Sequence, residues 1–221
     1  MWGVLGLALV LSSCSGDQVG FLPPDPASRP PLQASAADQA ATREHQRLLA
    51  MFGGEYRAPA ARQLLDDLVA RIARAAGQGM PAYEITLLNS PTPNAFSLPN
   101  GQLYVTRGLL ALANDTAEAS AVLAHEMAHV VAKHASERAE LQLRSALVSK
   151  VVADVLKDPA AQPAIQAQSK VSIASFSRQQ ELEADRIGVG LLARAGLDPY
   201  GAQRFLVSLG KSPILRGKST S

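Results

Sequence analysis

Apolar and polar positions recur along this chain at two different periods, and the changes of period mark its elements. Between residues 58 and 76, Leu64, Leu65, Leu68, Val69 and Ile72 return every three or four positions, the repeat that lines one face of a helix. Residues 36–52 predict a helix before it. Tyr83 to Leu88 alternates instead, which predicts a strand. Ala95 to Leu98 and Gln102 to Thr106 are two more strands flanking Pro99-Asn100-Gly101, a strong hairpin signal. From Asp115 to about Leu141 there is no Pro or Gly, and Ala, Leu, Glu and Lys dominate, so a long helix is expected. Asp115 and Glu118 give it capping-box spacing, with Asp in place of Ser or Thr. Residues 139–157 and about 160–175 predict further helices broken at Asp158-Pro159, and a last one runs to about Ala195, stopped by Gly196 with Pro199 behind. The expected fold is therefore α+β, mostly helical, with a small antiparallel or mixed sheet beside the helix that begins at Asp115.

That helix contains His125-Glu126-Met127-Ala128-His129. Residues four apart share one helix face, with Cβ atoms roughly 5–6 Å apart, so two imidazole nitrogens can converge on one zinc ion at about 2.0–2.1 Å. Glu126 falls about 100° around the axis. Its carboxylate can flank the metal and act on a water as general base without ligating the ion itself. Val122, Leu123, Met127, Val130 and Val131 crowd the motif, which predicts burial on most sides, and buried histidines need partners.

Catalytic zinc usually takes three protein ligands and leaves one position open. The best source of a third is Glu181-Leu182-Glu183-Ala184-Asp185-Arg186-Ile187-Gly188. Glu181, Asp185, Gly188 and Leu192 follow an i, i+4, i+7, i+11 progression along one face. Glu183 points about 200° away from Glu181 and is expected in solvent. Asp185 suits a supporting role, accepting the outer N–H of a ligating histidine. Gly188 on the inward face would let the His-Glu helix approach closely, a reason for an interior glycine that otherwise costs about 1 kcal/mol.

The pairing of His-Glu-x-x-His with Glu181-Leu182-Glu183-Ala184-Asp185-Arg186 resembles the HtpX and CAAX-prenyl-protease family of gluzincin metallopeptidases, and within it the soluble-domain branch typified by BepA and LoiP. Asn94-Ala95-Phe96-Ser97-Leu98-Pro99-Asn100-Gly101, the Tyr104 to Leu110 stretch, His125 to Arg138, and Ala193 to Pro199 match that branch in order. The resemblance implies one Zn2+ held by His125, His129 and Glu181, with Glu126 as general base. It also implies an edge strand over the zinc helix, from Asn94, Ala95 and Phe96 onward or from its hairpin partner, to which an extended peptide adds by main-chain hydrogen bonds. Asn94 and Arg178 are candidates, from their neighbourhood alone, either for stabilising an oxyanion or for a structural role. No extended segment follows Gly210 in this sequence, so a repeat module of the BepA kind is not expected. The only other histidines are His45 and His134; His134, about 140° around from His129, is expected to be a packing or surface residue, and His45 a surface residue.

Composition narrows the partners. Formal charge is +2, from 21 basic and 19 acidic residues, which leaves no basic stripe to neutralise phosphates and argues against nucleic acid. Aromatics are 5% and apolar residues 47%, enough for one core with close helix packing. Trp2 to Leu11 is an apolar run too short to span a bilayer, and Leu11-Ser12-Ser13-Cys14 resembles a bacterial lipobox. Cys14, the only cysteine, would then be lipidated, and Ser15 after it leans toward the outer membrane. The expected organisation is a signal peptide over 1–14, a Pro-rich tether over 15–35, the peptidase domain over 36–210 and a tail over 211–221. The expected function is a lipid-anchored, periplasm-facing zinc endopeptidase acting on unfolded or misassembled envelope proteins. The alternative is a chaperone-like assembly protein that uses the same cleft with little or no proteolysis.

Overall fold

The helix carrying His125 and His129 is the buried axis of the molecule. The structure, a computed structural model, describes residues 35–77, 82–156 and 161–211. Cys14, the apolar run before it, nearly all of the tether and all but the first residue of the tail lie outside the described residues. The element order is α1 (Ala36–Met51), α2 (Pro59–Ala76), β1 (Glu84–Leu88), β2 (Ala95–Ser97), β3 (Gln102–Thr106), α3 (Arg107–Leu110), α4 (Thr116–Val131), α5 (His134–Leu156), α6 (Ala161–Arg194) and α7 (Gly201–Lys211). This is the mostly helical α+β architecture that the periodicity predicts.

Asp115 caps α4 by accepting the Glu118 N–H at 2.8 Å, which satisfies one of the free donors of the first turn. The Glu118 carboxylate is itself buried and accepts from the Asn114 backbone and side chain, so the cap forms a network. Below it, Leu123, Ala124, Met127 and Ala128 have essentially no exposed surface. Leu123, Ala124 and Met127 pack in one core with Leu65 and Ile72 of α2, Ile85 of β1, Leu103 of β3, Leu191 of α6 and Phe205 of α7. Gly188 is where α6 crosses α4: a Cβ there would stand 3.2 Å from the His125 backbone nitrogen and 3.3 Å from the Ala124 carbonyl carbon. A Cβ there fits only if the backbone of α4 gives by a few tenths of an ångström, so the glycine lets the two helices that carry the candidate ligands cross closely.

The sheet is three-stranded and mixed, in the order β1-β3-β2, with β1 parallel and β2 antiparallel to β3. The hairpin expected around Pro99-Asn100-Gly101 forms, and Gly101 supplies the positive φ of 91° that it needs. This leaves β2 at an edge of the sheet, beside α4.

Four local expectations are corrected. The helix beginning at Asp115 stops at Val131 instead of reaching Leu141, because Lys133 adopts a left-handed φ of 58° and turns the chain before α5 starts at His134; no glycine advertises that turn. The two helices expected between about 160 and 195 are one 34-residue helix, α6. Leu64 is 39% exposed because Leu65, Leu68, Val69 and Ile72 already complete the buried stripe of α2. His45 is partly buried, its Nδ1 2.9 Å from the Tyr104 hydroxyl, because α1 packs across the sheet through Leu48 and Phe52.

Candidate metal centre

His125 and His129, one turn apart on α4, bring their Nε2 atoms within 3.1 Å of each other. Glu181, from α6, reaches in with Oε2 at 3.4 Å from the first nitrogen and 3.6 Å from the second. Three ligands on a tetrahedral ion at about 2.0–2.1 Å lie roughly 3.3–3.4 Å from one another, so this triangle has close to the size that such an ion needs. Two imidazoles and one carboxylate are also the donor types that suit it. The cluster is thus capable of coordinating a metal ion.

Charge and tautomer are prepared for that task. Burial, followed by the charge on neighbouring His125, pushes His129 down to about 4, so its imidazole is neutral at pH 7 and has a lone pair to donate. Asp185 sits one turn along α6 from Glu181, and its Oδ1 lies 2.8 Å from His125 Nδ1. That contact holds the His125 proton on Nδ1 and leaves Nε2 free for an ion. Glu183, on the other side of α6, is half-exposed as expected, yet its carboxylate comes within 3.6 Å of His134 Nε2. His134 is a packing residue, only 1% exposed, and its Nδ1 lies 2.9 Å from His129 Nδ1.

Glu126 stands beside the triangle without joining it. Burial pushes its carboxyl above the ordinary range, while the charge on His125 and a hydrogen bond from Ser97 pull the other way. The Ser97 hydroxyl donates to the Glu126 backbone carbonyl at 3.1 Å and reaches its Oε2 at 3.4 Å, which ties the edge strand to the helix below.

These groups open into a cavity of about 290 Å³ between β2, α4 and α5. Ala95 and Phe96 line it, as does Arg138, whose Nη1 lies 3.9 Å from Glu181 Oε1. Asn94 is exposed and borders a second, mostly apolar cavity of about 320 Å³, which also touches His125, Glu126 and Phe205. Arg178 is exposed and contributes to neither cavity. Ser97 and Arg138 were not singled out by their sequence pattern. Arg138 follows His134 at i+4, a spacing that shows its direction only once the turn at Lys133 is known.

Comparisons with known proteins agree with this geometry. The chain is 37% identical over 131 residues to the mitochondrial metalloendopeptidase OMA1 of Arabidopsis thaliana, covering 59% of this chain and 26% of that protein. It is 34% identical over 133 residues to OMA1 of Schizosaccharomyces pombe, covering 60% of this chain and 39% of that one. The Beta-barrel assembly-enhancing protease of Escherichia coli (strain K12) is 29% identical over 160 residues, 68% of this chain and 33% of the relative. The chain therefore spans well under half the length of these relatives. The family description Peptidase family M48 matches residues 59–216, which includes both candidate ligand helices. With a metal-capable His-His-Glu triangle at its centre and that match over most of its length, the chain belongs to peptidase family M48.

Proposed function

We propose that this chain is a zinc-dependent endopeptidase that cleaves unfolded or misassembled proteins of a bacterial envelope. The observation that carries the proposal is the triangle of His125, His129 and Glu181 with the part-buried Glu126 beside it, under a sheet edge. Zinc on these side chains would supply a Lewis acid for the scissile carbonyl and for the attacking water. Glu126 takes the water's proton and passes it to the leaving amine, and burial above the ordinary carboxylate range suits it to both halves of that task. Ser97 holds the carboxylate toward the cleft. The open edge of β2 receives an extended segment through main-chain hydrogen bonds, so recognition follows backbone accessibility more than side-chain identity. The apolar cavity beyond His125 suits the exposed apolar side chains of unfolded chains.

The envelope address rests on the lipobox-like Leu11-Ser12-Ser13-Cys14 and on likeness to a protease named for β-barrel assembly. Among the described residues no helix is long and apolar enough to cross a membrane, which is compatible with attachment through a lipid on Cys14. The test is digestion of an unfolded protein by the full chain, with and without chelator, beside the Glu126→Gln variant. Chelator-sensitive cleavage that is lost in the variant, with zinc retained, supports the proposal. Absence of cleavage by the zinc-loaded parent, alongside tight binding of the unfolded protein, would favour the assembly role.

A further inference from the structure

His125 and His129 are held in different ways. His125 Nδ1 meets the Asp185 carboxylate directly, at 2.8 Å. Among the described residues His129 Nδ1 meets no carboxylate; it meets the imidazole of His134 at 2.9 Å. Two neutral imidazoles can share one hydrogen bond only if one nitrogen carries the proton and the other does not. His129 turns its Nε2 toward His125 and Glu181, so a lone pair used there leaves the proton on its Nδ1. His134 Nδ1 must then accept, and the His134 proton must be on Nε2.

That Nε2 is buried and has no hydrogen-bond partner among the described residues. Among the described residues the one carboxylate within 4 Å of it is Glu183, whose Oε2 lies 3.6 Å away, about 0.7 Å beyond ordinary hydrogen-bond length. Glu183 is half-exposed and free to make up the difference by a small side-chain rotation. The backbone also serves this contact. Lys133 takes its left-handed conformation immediately before His134, and Gln180 Nε2 donates to the His134 carbonyl at 3.2 Å, so the first residue of α5 is fixed against α6.

We propose that His134 and Glu183 form a two-step relay that positions His129 as a metal ligand: His129 Nδ1–H donates to His134 Nδ1, and His134 Nε2–H donates to the Glu183 carboxylate. The proposal rests on the zinc site described under the proposed function. In it, the three acids of Glu181-Leu182-Glu183-Ala184-Asp185 divide the work: Glu181 ligates, Asp185 orients His125, and Glu183 orients His129 through an intermediary. His134 and Glu183 are positioning residues, and neither touches substrate.

The experiment uses the full chain labelled with 15N and loaded with zinc. Long-range 1H–15N spectra read which nitrogen of each imidazole is protonated, and competition with a chelator reads zinc affinity. The expected result is His129 protonated on Nδ1 and His134 on Nε2. His134→Leu, which removes the acceptor while keeping an apolar volume, should weaken zinc binding about 10–100-fold, as losses of a ligand's supporting hydrogen bond do. His134→Asn, whose amide oxygen can still accept from His129, should recover most of that loss. Because His134 is buried and its variants could fail to fold, Glu183→Gln serves as the independent arm. It changes only a half-exposed side chain, should lower zinc affinity by roughly tenfold or less, and should shift the His134 Nε2–H signal. A His134 protonated on Nδ1 in the zinc-loaded protein would overturn the relay, as would a Glu183→Gln variant with unchanged affinity and an unshifted signal. A parent chain that binds no zinc would instead bring down the functional proposal and the relay with it.

Discussion

Ser97 and Glu126 are joined across the cleft: the hydroxyl on the edge strand shares its one proton between the Glu126 backbone carbonyl, at 3.1 Å, and the Glu126 carboxylate, at 3.4 Å. The second contact favours the charged carboxylate and opposes the upward push of burial. Without it the carboxyl should hold its proton to higher pH. A general base acts only when deprotonated, so Ser97→Ala should move the acidic limb of the kcat/KM profile upward. A hydrogen bond of about 1 kcal/mol corresponds to roughly half to one pH unit. An unmoved limb would mean that Ser97 serves only to tie strand to helix.

The metal triangle makes distinct demands on the three acids of α6. Replacing His125, His129 or Glu181 by Ala should each remove stoichiometric zinc, because each supplies one corner of the cluster. Asp185→Ala should keep the metal with affinity or activity about 10–100-fold lower, since it frees the His125 ring without taking a ligand away. Glu183→Ala should retain stoichiometric zinc at saturating metal. Metal analysis after gel filtration separates these cases; loss of zinc from the Glu183 variant and not from the Glu181 variant would exchange their roles.

Gly188→Ala sets two known effects against each other. Alanine gains about 1 kcal/mol of helix propensity over glycine, whereas forcing a methyl into a filled contact costs typically about 1–3 kcal/mol. Here the methyl meets the His125 backbone nitrogen at 3.2 Å, and backbone cannot swing aside as a side-chain tip can. The expected net is a loss of about 1 kcal/mol in metal-free denaturation, with zinc binding weakened more, because α6 also carries Glu181. Stability equal to or above the parent would show that the crossing has slack.

The N-terminal cysteine makes a cellular prediction. Cys14→Ser should abolish incorporation of labelled fatty acid and release the protein from membranes into the soluble envelope fraction. A variant that stays with membranes through salt and carbonate washes would assign the anchoring to the apolar stretch Trp2 to Leu11.

What could be read from the chain follows from how local each signal is. The two histidines and Glu126 lie within one turn or so of a single helix, so their spacing alone orients them, and the Asp185 and Gly188 placements follow from the same periodicity on α6. The strand pairing around Gly101 is equally local. Ser97 is different. Its partner is 29 residues away in another element, and nothing in the Phe96-Ser97-Leu98 stretch distinguishes a hydroxyl that bonds the Glu126 carboxylate from one that faces water. His134 is the packing residue that its spacing predicts, but an unbroken helix would carry it away from His129. The turn at Lys133 returns it, and a lysine in left-handed conformation leaves no mark in a pattern that looks for glycine. His45 is hidden from the sequence for a related reason, since its partner, the Tyr104 hydroxyl, is 59 residues away.

The packing of α1 has a mechanical consequence. Phe52 at the end of that helix lies 5.4 Å from Phe96 ring to ring, Phe96 stacks at 4.9 Å on Tyr104, and Tyr104 bonds His45 farther back along α1. Phe96 belongs to the strand that roofs the cleft. The rings form one continuous row of contacts from α1 to the cavity wall, so the packing of α1 and the position of Phe96 over the cavity are set together.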